Sequence, residues 1–151
     1  MSNVRPGRYR ISKGMTNNDI INSLRSQNIP ITVAFNNQHS LNQLAKRISN
    51  QIVADSLELI ESFTDEDFLK THGFTAETAL SMYLPNSYEF FWNTNPRKFR
   101  TKMLKSYRVF WNKKRLEQAK EIGLSQTEIA ILAAIVQEES KQKSEQPKVA
   151  G

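Results

Sequence analysis

The sequence predicts an α+β fold, in which a small β-α-β unit at residues 1–38 precedes a mainly helical part at residues 39–151. Near the amino terminus, apolar residues alternate at residues 8–12 and 29–35, which is typical of strands. From residue 40 onward, apolar residues recur at steps of three and four, which is typical of helices. A chain of 151 residues can bury a hydrophobic core as one domain or as two small domains.

Composition excludes several classes of protein. There is no cysteine, and the two histidines lie far apart in the sequence, so we expect neither a disulfide, nor a metal site, nor a cofactor. No apolar run approaches the roughly 20 residues that span a bilayer, and no signal sequence is present, so the chain as given should be soluble. The net charge of +6 favours a polyanionic partner, which could be nucleic acid, anionic lipid or an acidic wall polymer.

The amino-terminal unit is predicted from two strands and a helix. A first strand at residues 8–12 is followed by a helix that Thr16 caps and that ends at Gln27. The second strand covers residues 29–35, and Pro30, which lacks an N–H group, places its start at a sheet edge.

Helix signals dominate the rest of the chain. Capping residues predict helices that begin at Ser40, Thr64, Thr75 and Asn95, and the last of these would be the longest and end at Gly123. One side of this longest helix is apolar and should face the core: Phe99, Met103, Tyr107, Phe110 and Trp111. Basic residues surround that side: Arg97, Lys98, Arg100, Lys102, Lys105, Arg108, Lys113, Lys114 and Arg115. Because the aromatic residues do not interleave with these charges, a solvated face is favoured over a nucleic-acid surface.

Residues 83–92 combine five aromatic residues with a proline turn, and we expect this segment to be irregular. Aromatic faces in loops can stack on sugars, but they can also fill a core. We favour the core interpretation for Phe90, Phe91 and Trp92. For Tyr83 and Tyr88 both interpretations stay open.

The helix predicted to begin at Ser125 carries the candidate catalytic residue. Ser125 and Glu128 form a capping box, which fixes the start of the helix. At about 100° per residue, Glu139 falls on the same stripe as four apolar residues, whereas Gln137 faces the far side and Glu138 the margin: Ile129, Leu132, Ile135 and Val136. A carboxyl group beside apolar neighbours loses solvation and its pKa rises, which suits a general acid. The alternative is a solvated carboxylate at a helix end.

Several catalytic motifs are missing from the sequence. There is no glycine-rich phosphate loop, no GxSxG elbow and no HExxH motif. Hydrolases that depend on a serine nucleophile or a metal therefore lose support, whereas a reaction that runs on one glutamate remains possible.

Five segments, in consistent order along the chain, resemble one family. They are Gly7-Arg-Tyr-Arg-Ile11, Lys13-Gly-Met-Thr16, Tyr83-Leu-Pro-Asn-Ser-Tyr-Glu-Phe90, Ala134-Ile-Val-Gln-Glu-Glu-Ser140 and Pro147-Lys-Val-Ala-Gly151. Together they resemble the MltG (YceG-like) family of bacterial endolytic murein transglycosylases. The resemblance implies that Glu139, which precedes Ser140, is the catalytic residue. Substrate-binding roles for Tyr83, Asn86, Tyr88 and Ser140 rest on motif position and polarity.

The resemblance also implies a reaction and a setting. A lytic transglycosylase, which is a lyase, cleaves the bond between N-acetylmuramic acid and N-acetylglucosamine and leaves a 1,6-anhydro end, with one glutamate acting first as acid and then as base. Relatives carry a LysM-like region and a single membrane anchor, with the catalytic part outside the cytoplasm. We therefore expect peptidoglycan strands as substrate, cell-wall synthesis proteins as candidate partners, no nucleic acid, and membrane contact only through an anchor.

Such a chain would be a fragment that lacks the anchor and the carboxy-terminal part of the cleft, and it could be inactive by itself. Two rival interpretations stay open at this point. The chain could be a peptidoglycan-binding module without chemistry, or a nucleic-acid-binding helical domain.

Overall fold

The computed structural model describes residues 5–139 and 145–150, except for the side chain of residue 149, and these residues combine helices with a two-stranded sheet. The mixed α+β prediction is confirmed. The strands are β1 (Pro30–Phe35) and β2 (Asn86–Phe91). The helices are α1 (Asn17–Ser26), α2 (Leu41–Ser49), α3 (Ser56–Phe63), α4 (Glu66–Thr71), α5 (Pro96–Phe110), α6 (Lys113–Glu121), α7 (Gln126–Glu139) and α8 (Gln146–Ala150), and a 3-10 helix covers Ala79–Met82.

The sheet pairs β1 with β2 in antiparallel register, with Val33 opposite Tyr88 and Ile31 opposite Phe90. The expectation that residues 83–92 are irregular was therefore wrong for β2. Tyr88 and Phe90 alternate with polar residues, which is a strand pattern that the nearby proline and the density of aromatic residues concealed. Phe90 is buried, as expected, whereas Phe91 and Trp92 are exposed, contrary to the core interpretation.

The predicted first strand at residues 8–12 does not form, so the β-α-β unit, and with it a LysM-like unit, is not confirmed. One backbone hydrogen bond, from Ile29 N–H to Arg8 C=O at 2.7 Å, joins this segment to the residue that precedes β1. On the edge of β1 that faces away from β2, the side chain of Gln51 forms hydrogen bonds with both backbone groups of Ala34.

The direction of the backbone hydrogen bonds alternates along a strand, which explains why no third strand from the described residues pairs with β1. Because Ala34 directs its groups away from β2, Thr32 and Pro30 do so as well. Pro30 has no N–H to offer, and Ala34 is already occupied, so little of this edge is left for pairing. The division of domains at residue 38 stays a prediction, although β1 and β2 pair across it.

Capping explains the helices that were predicted correctly. Thr16 caps α1 and Ser40 caps α2 through side-chain acceptors, as predicted. The predicted cap of α4 at Thr64 was wrong by one residue, because Asp65 caps this helix and Thr64 ends α3. The predicted single helix from Asn95 to Gly123 was wrong, because it divides into α5 and α6. Asn112 begins the second of these by accepting a hydrogen bond from the Arg115 N–H at 3.1 Å.

The helix predicted from Thr75 to Tyr83 shrinks to the 3-10 helix. Thr75 N–H donates to Thr78 Oγ1 at 2.9 Å, and Thr78 N–H donates to Thr75 Oγ1 at 3.3 Å. Such local side-chain bonds compete with regular helix formation, and Pro85 leaves too few residues for a longer helix.

The core lies between the sheet and helices α2, α3 and α5. Its fully buried side chains include Val33, Leu44, Ile48, Leu59, Phe63, Phe99 and Met103. Arg100, which was expected on the basic face of its helix, is instead buried, and Phe110, which was expected in the core, is 39% exposed. No helix among the described residues is long and apolar enough to cross a membrane.

Candidate functional site

Helix α7 begins where the capping box predicted. Ser125 N–H and Ser125 Oγ both donate to Glu128 Oε2, at 2.8 and 2.7 Å, and Glu128 N–H donates to Ser125 Oγ at 3.2 Å. These bonds favour the charged carboxylate, so the Ser125 side chain and backbone hold the pKa of Glu128 below its ordinary value. The first turn of α7 is therefore fixed by its own residues.

Glu139 lies at the opposite end of α7 and is exposed. The apolar stripe that accompanies it was expected to be buried, but Leu132 is 38% exposed and Ile135 is 52% exposed, while Val136 is buried. Ile129 is half-buried and packs against the core. The expectation of a buried stripe was therefore wrong for Leu132 and Ile135 and correct for Val136. Helical periodicity places residues on a common face, but it does not decide whether another element covers that face.

A cavity of about 790 Å³ lies on another side of α7. Its walls come from the loop after β1, the segment around the 3-10 helix, the junction of α5 and α6, and α7 itself. Its polar and aromatic lining includes Asn37, Gln38, Phe110, Trp111, Gln118 and Gln137. The Asn37 Nδ2 group donates to Gln137 Oε1, so one hydrogen bond joins the β1 loop to the end of α7.

The cavity and Glu139 lie on different faces of α7. Ala134 and Glu138 line the cavity, whereas Glu139 does not. At about 100° per residue, Ala134 is about 200° from Leu132 around the helix, and Glu139 is only about 20° from it. The predicted orientations of Gln137 and Glu139 relative to the apolar stripe agree with this arrangement, but the cavity is on the side of Gln137.

Two carboxylates do border the cavity. Glu77 and Glu138 are both exposed side chains on its wall, and Arg115 lies on the wall as well. The Arg115 guanidinium stacks on the Phe110 ring at 4.1 Å and donates to the Phe110 C=O at 2.6 Å. The cavity thus combines apolar walls with hydrogen-bonding groups of both charges.

Of the predicted binding residues, Tyr83 reaches the cavity wall. It is only 4% exposed, its ring packs on Phe63 at 4.6 Å, and its hydroxyl has no hydrogen-bond partner among the described residues. Burial raises the pKa of Tyr83 far above its ordinary value, so this hydroxyl stays protonated.

The other predicted binding residues lie elsewhere. Tyr88 donates to the Leu84 C=O at 2.7 Å and stacks on Phe35, and it does not line the cavity. Asn86 is exposed and accepts a hydrogen bond from the Ser87 N–H at 2.8 Å. Ser140 lies outside the described residues.

Sequence reasoning did not single out the β1 loop or Gln118 as parts of a site. The polar run Asn36-Asn37-Gln38 directly after a strand was the available signal, because polar residues at strand ends often face clefts. Among the described residues, no three His, Asp or Glu side chains lie close enough together to hold a metal ion.

Comparison with known proteins supplies the family. No curated protein matches the chain, and no solved structure matches it. The model of the YceG-like family matches residues 1–151, which is the full length of the sequence. The chain therefore belongs to the YceG-like, or MltG, family.

Proposed function

We propose that this chain acts as an endolytic murein transglycosylase with Glu139 as its catalytic residue. The observation that carries the proposal is the family match over residues 1–151, since members of this family are generally lytic transglycosylases. The substrate is a peptidoglycan glycan strand, which is cut between N-acetylmuramic acid and N-acetylglucosamine.

The reaction requires one carboxyl group. Protonated Glu139 donates its proton to the glycosidic oxygen as the bond from that oxygen to C1 of N-acetylmuramic acid breaks. The resulting carboxylate removes the proton from the 6-hydroxyl group of the same sugar, and O6 closes on C1 to give the 1,6-anhydro ring. Because the substrate supplies its own nucleophile, neither water nor the second carboxylate of an ordinary glycosidase is needed.

The position of Glu139 supports this role in one respect. The side chain is exposed at the end of α7, so a glycan strand can reach it from solvent. At the other end of α7, the capping box of Ser125 and Glu128 fixes the residue at which the helix begins.

A second candidate function is peptidoglycan binding without chemistry. The cavity favours it, because this hollow lies on a different face of α7 from Glu139 and is lined by aromatic rings and side-chain amides, which suit the faces and hydroxyls of sugars. In that case Glu139 would be a solvated surface residue.

Replacement of one glutamate separates the two functions. The wild-type protein and its Glu139→Gln and Glu138→Gln variants would be incubated with purified murein sacculi, and anhydro products would be measured by mass spectrometry. Loss of a general acid-base group should lower product formation by about 100-fold or more in Glu139→Gln. The neighbouring Glu138→Gln variant makes the same replacement of a carboxylate by an amide on the cavity side of α7, and it should keep its activity.

Binding to the sacculi provides the second measurement. Glu139→Gln should still sediment with sacculi, because the substitution preserves size and polarity. Wild-type levels of anhydro product from Glu139→Gln would overturn the proposal. Sedimentation of the wild-type protein without any product would favour the binding module.

A further inference from the structure

Helix α5 presents an unusually basic face to solvent. Arg97, Lys98, Lys105 and Arg108, which we call the basic ridge, are all exposed. At about 100° and 1.5 Å per residue, these four positions fall within about 100° of the helix circumference and extend over about 16 Å. The chain contains no Asp or Glu from residue 97 to residue 116.

Carboxylates do not neutralise the ridge in the part of the chain that the structure describes. The ion pairs found there join Lys70 to Glu66, Arg100 to Asp65, and Lys113 to Glu117, so none of them involves a ridge residue. Arg108 instead contacts the His72 ring, with its Nη2 atom 3.0 Å from Nδ1. In the described part of the chain, four cations therefore share one face and none of them forms an ion pair with a carboxylate.

Helix stability explains Arg108, which lies in the last turn of α5, where the helix dipole favours positive charge, but not the rest of this arrangement. Arg97 and Lys98 lie in the first turn of α5, where the helix dipole favours negative charge. Lys105 and Arg108 are three positions apart, so these like charges repel along the same face. Each of these features lowers the stability of the free helix slightly. Against a bound anionic surface, the same positive charges would be stabilising.

Exposed apolar residues accompany the ridge. Val109 is 69% exposed and lies beside Lys98 and Lys105 in angle around α5. Trp92, which is 39% exposed, and Phe91, which is 47% exposed, lie three and four residues before Asn95, the cap of the same helix. A nucleic acid or a wall polymer would use the charges and stack on an aromatic ring, but it offers no apolar partner to the aliphatic Val109. A lipid interface takes up basic, aromatic and aliphatic side chains together.

We propose that the basic ridge, together with Val109 and Trp92, binds the headgroup region of a membrane that contains anionic phospholipid. The Lys and Arg side chains would contact phosphate groups, while Val109 and the Trp92 ring enter the boundary between headgroups and acyl chains. This contact would hold the protein body against a lipid surface independently of any membrane anchor.

Vesicle binding by the wild-type chain tests the proposal first. The probes are vesicles of phosphatidylglycerol mixed with phosphatidylcholine, and vesicles of phosphatidylcholine alone, each across a salt series. The chain should sediment with the anionic vesicles and less so as salt rises. The protein has two tryptophans, of which Trp111 is only 8% exposed, so a shift of the emission maximum to shorter wavelength would report entry of Trp92 into the interface.

Matched variants then locate the contact. The triple variant Arg97→Gln, Lys98→Gln, Lys105→Gln should bind the anionic vesicles about 100-fold more weakly, from the loss of three cations. The control variant Lys13→Gln, Lys46→Gln, Arg47→Gln removes the same charge from other exposed positions and should lose much less. Val109→Ser should weaken the binding that persists at high salt.

Three results would overturn the proposal. The first is equal loss of vesicle binding in the ridge and control triples, which would reduce the effect to net charge. The second is no preference of the wild-type chain for anionic vesicles and no emission shift. The third is binding of duplex DNA or murein sacculi that depends on the ridge while vesicle binding does not.

Discussion

The side-chain amide of Gln51 pairs with both backbone groups of Ala34, accepting from the N–H at 2.9 Å and donating to the C=O at 3.0 Å. It thereby forms the two hydrogen bonds that the backbone of a neighbouring strand would form with Ala34. The same amide donates to the Arg47 C=O at 3.0 Å, so it ties the end of α2 to the outer edge of β1. One half-buried side chain thus anchors a helix and closes a sheet edge.

The first prediction is that Gln51→Leu destabilises the protein. The substitution removes three hydrogen bonds, two to Ala34 and one to Arg47, and leaves both Ala34 groups without a side-chain partner. It should lower the free energy of unfolding by about 2 kcal/mol. Urea denaturation followed by circular dichroism measures the change. As a control, Gln27→Leu alters an exposed glutamine that lies outside the sheet and should change stability little. Equal unfolding midpoints for the two variants would contradict the prediction.

The parts of the fold that could be predicted from sequence are those that local chemistry determines. Three helix starts were predicted from the capping side chains of Thr16, Ser40 and Ser125, and the structure confirms all three. The β2 strand and the unformed strand at residues 8–12 depend on partners distant in sequence. No pattern in the sequence, for example, predicts that the Gln51 side chain forms hydrogen bonds with the backbone of β1.

The candidate site shows the same limit. The helical periodicity of α7 correctly separates Gln137 from Glu139 on the helix surface. Which face of α7 borders the cavity depends on where α6 and the β1 loop lie, and those positions come from the tertiary fold. The catalytic role of Glu139 came from the family motif, and it stays a prediction.

The second prediction concerns Arg100, a buried cation. Its Nη1 atom lies 3.0 Å from Asp65 Oδ2 and also donates to the Ser62 C=O, while its guanidinium lies 3.7 Å from the centre of the Phe68 ring. Arg100→Met keeps a similar length but loses all three interactions. Because the Asp65 side chain that remains is 37% exposed, the free energy of unfolding should fall by about 2 kcal/mol. Chemical denaturation measures the change.

Arg97→Met is the matched control for this substitution. It removes the same charge from the same helix at an exposed position, and its effect on stability should be small or slightly favourable, since Arg97 opposes the helix dipole. Similar losses in the two variants would mean that Arg100 acts only through net charge.

The third prediction concerns His72 and pH. Desolvation, followed by the charges of Arg108 and Arg100, holds the pKa of His72 below its ordinary value of 6.5. The unfolded chain therefore takes up a proton at a higher pH than the folded protein does. The stability contributed by neutral His72 is present above pH 6.5 and is lost as the pH falls below that value.

Urea midpoints measured at about pH 7.5 and about pH 5.5 should therefore decrease with falling pH in the wild-type protein. The decrease should be smaller in His72→Gln, which cannot take up the proton. It should also be smaller in Arg108→Gln, which removes one of the opposing charges, but not in Arg97→Gln. An unchanged decrease in His72→Gln would assign the effect to other groups.

The fourth prediction separates the start of α7 from the chemistry at its end. Ser125→Ala removes the hydroxyl that accepts from the Glu128 N–H, and loss of such a cap should lower stability by about 1 kcal/mol. Amide exchange should accelerate in the first turn of α7. Glu139 lies 14 residues further on, about 20 Å along the helix, so its own turn should keep its protection.

Anhydro product formation by Ser125→Ala should therefore persist at temperatures where the variant is folded, in contrast to Glu139→Gln. Ser125→Ala could instead lose product as completely as Glu139→Gln while its α7 amides remain protected. That result would contradict the prediction, because it would give the capping box a role in the reaction despite its distance from Glu139. Loss of protection along the whole of α7 would mean that this helix folds as one unit whose stability depends on its first turn, because few other contacts hold its apolar stripe.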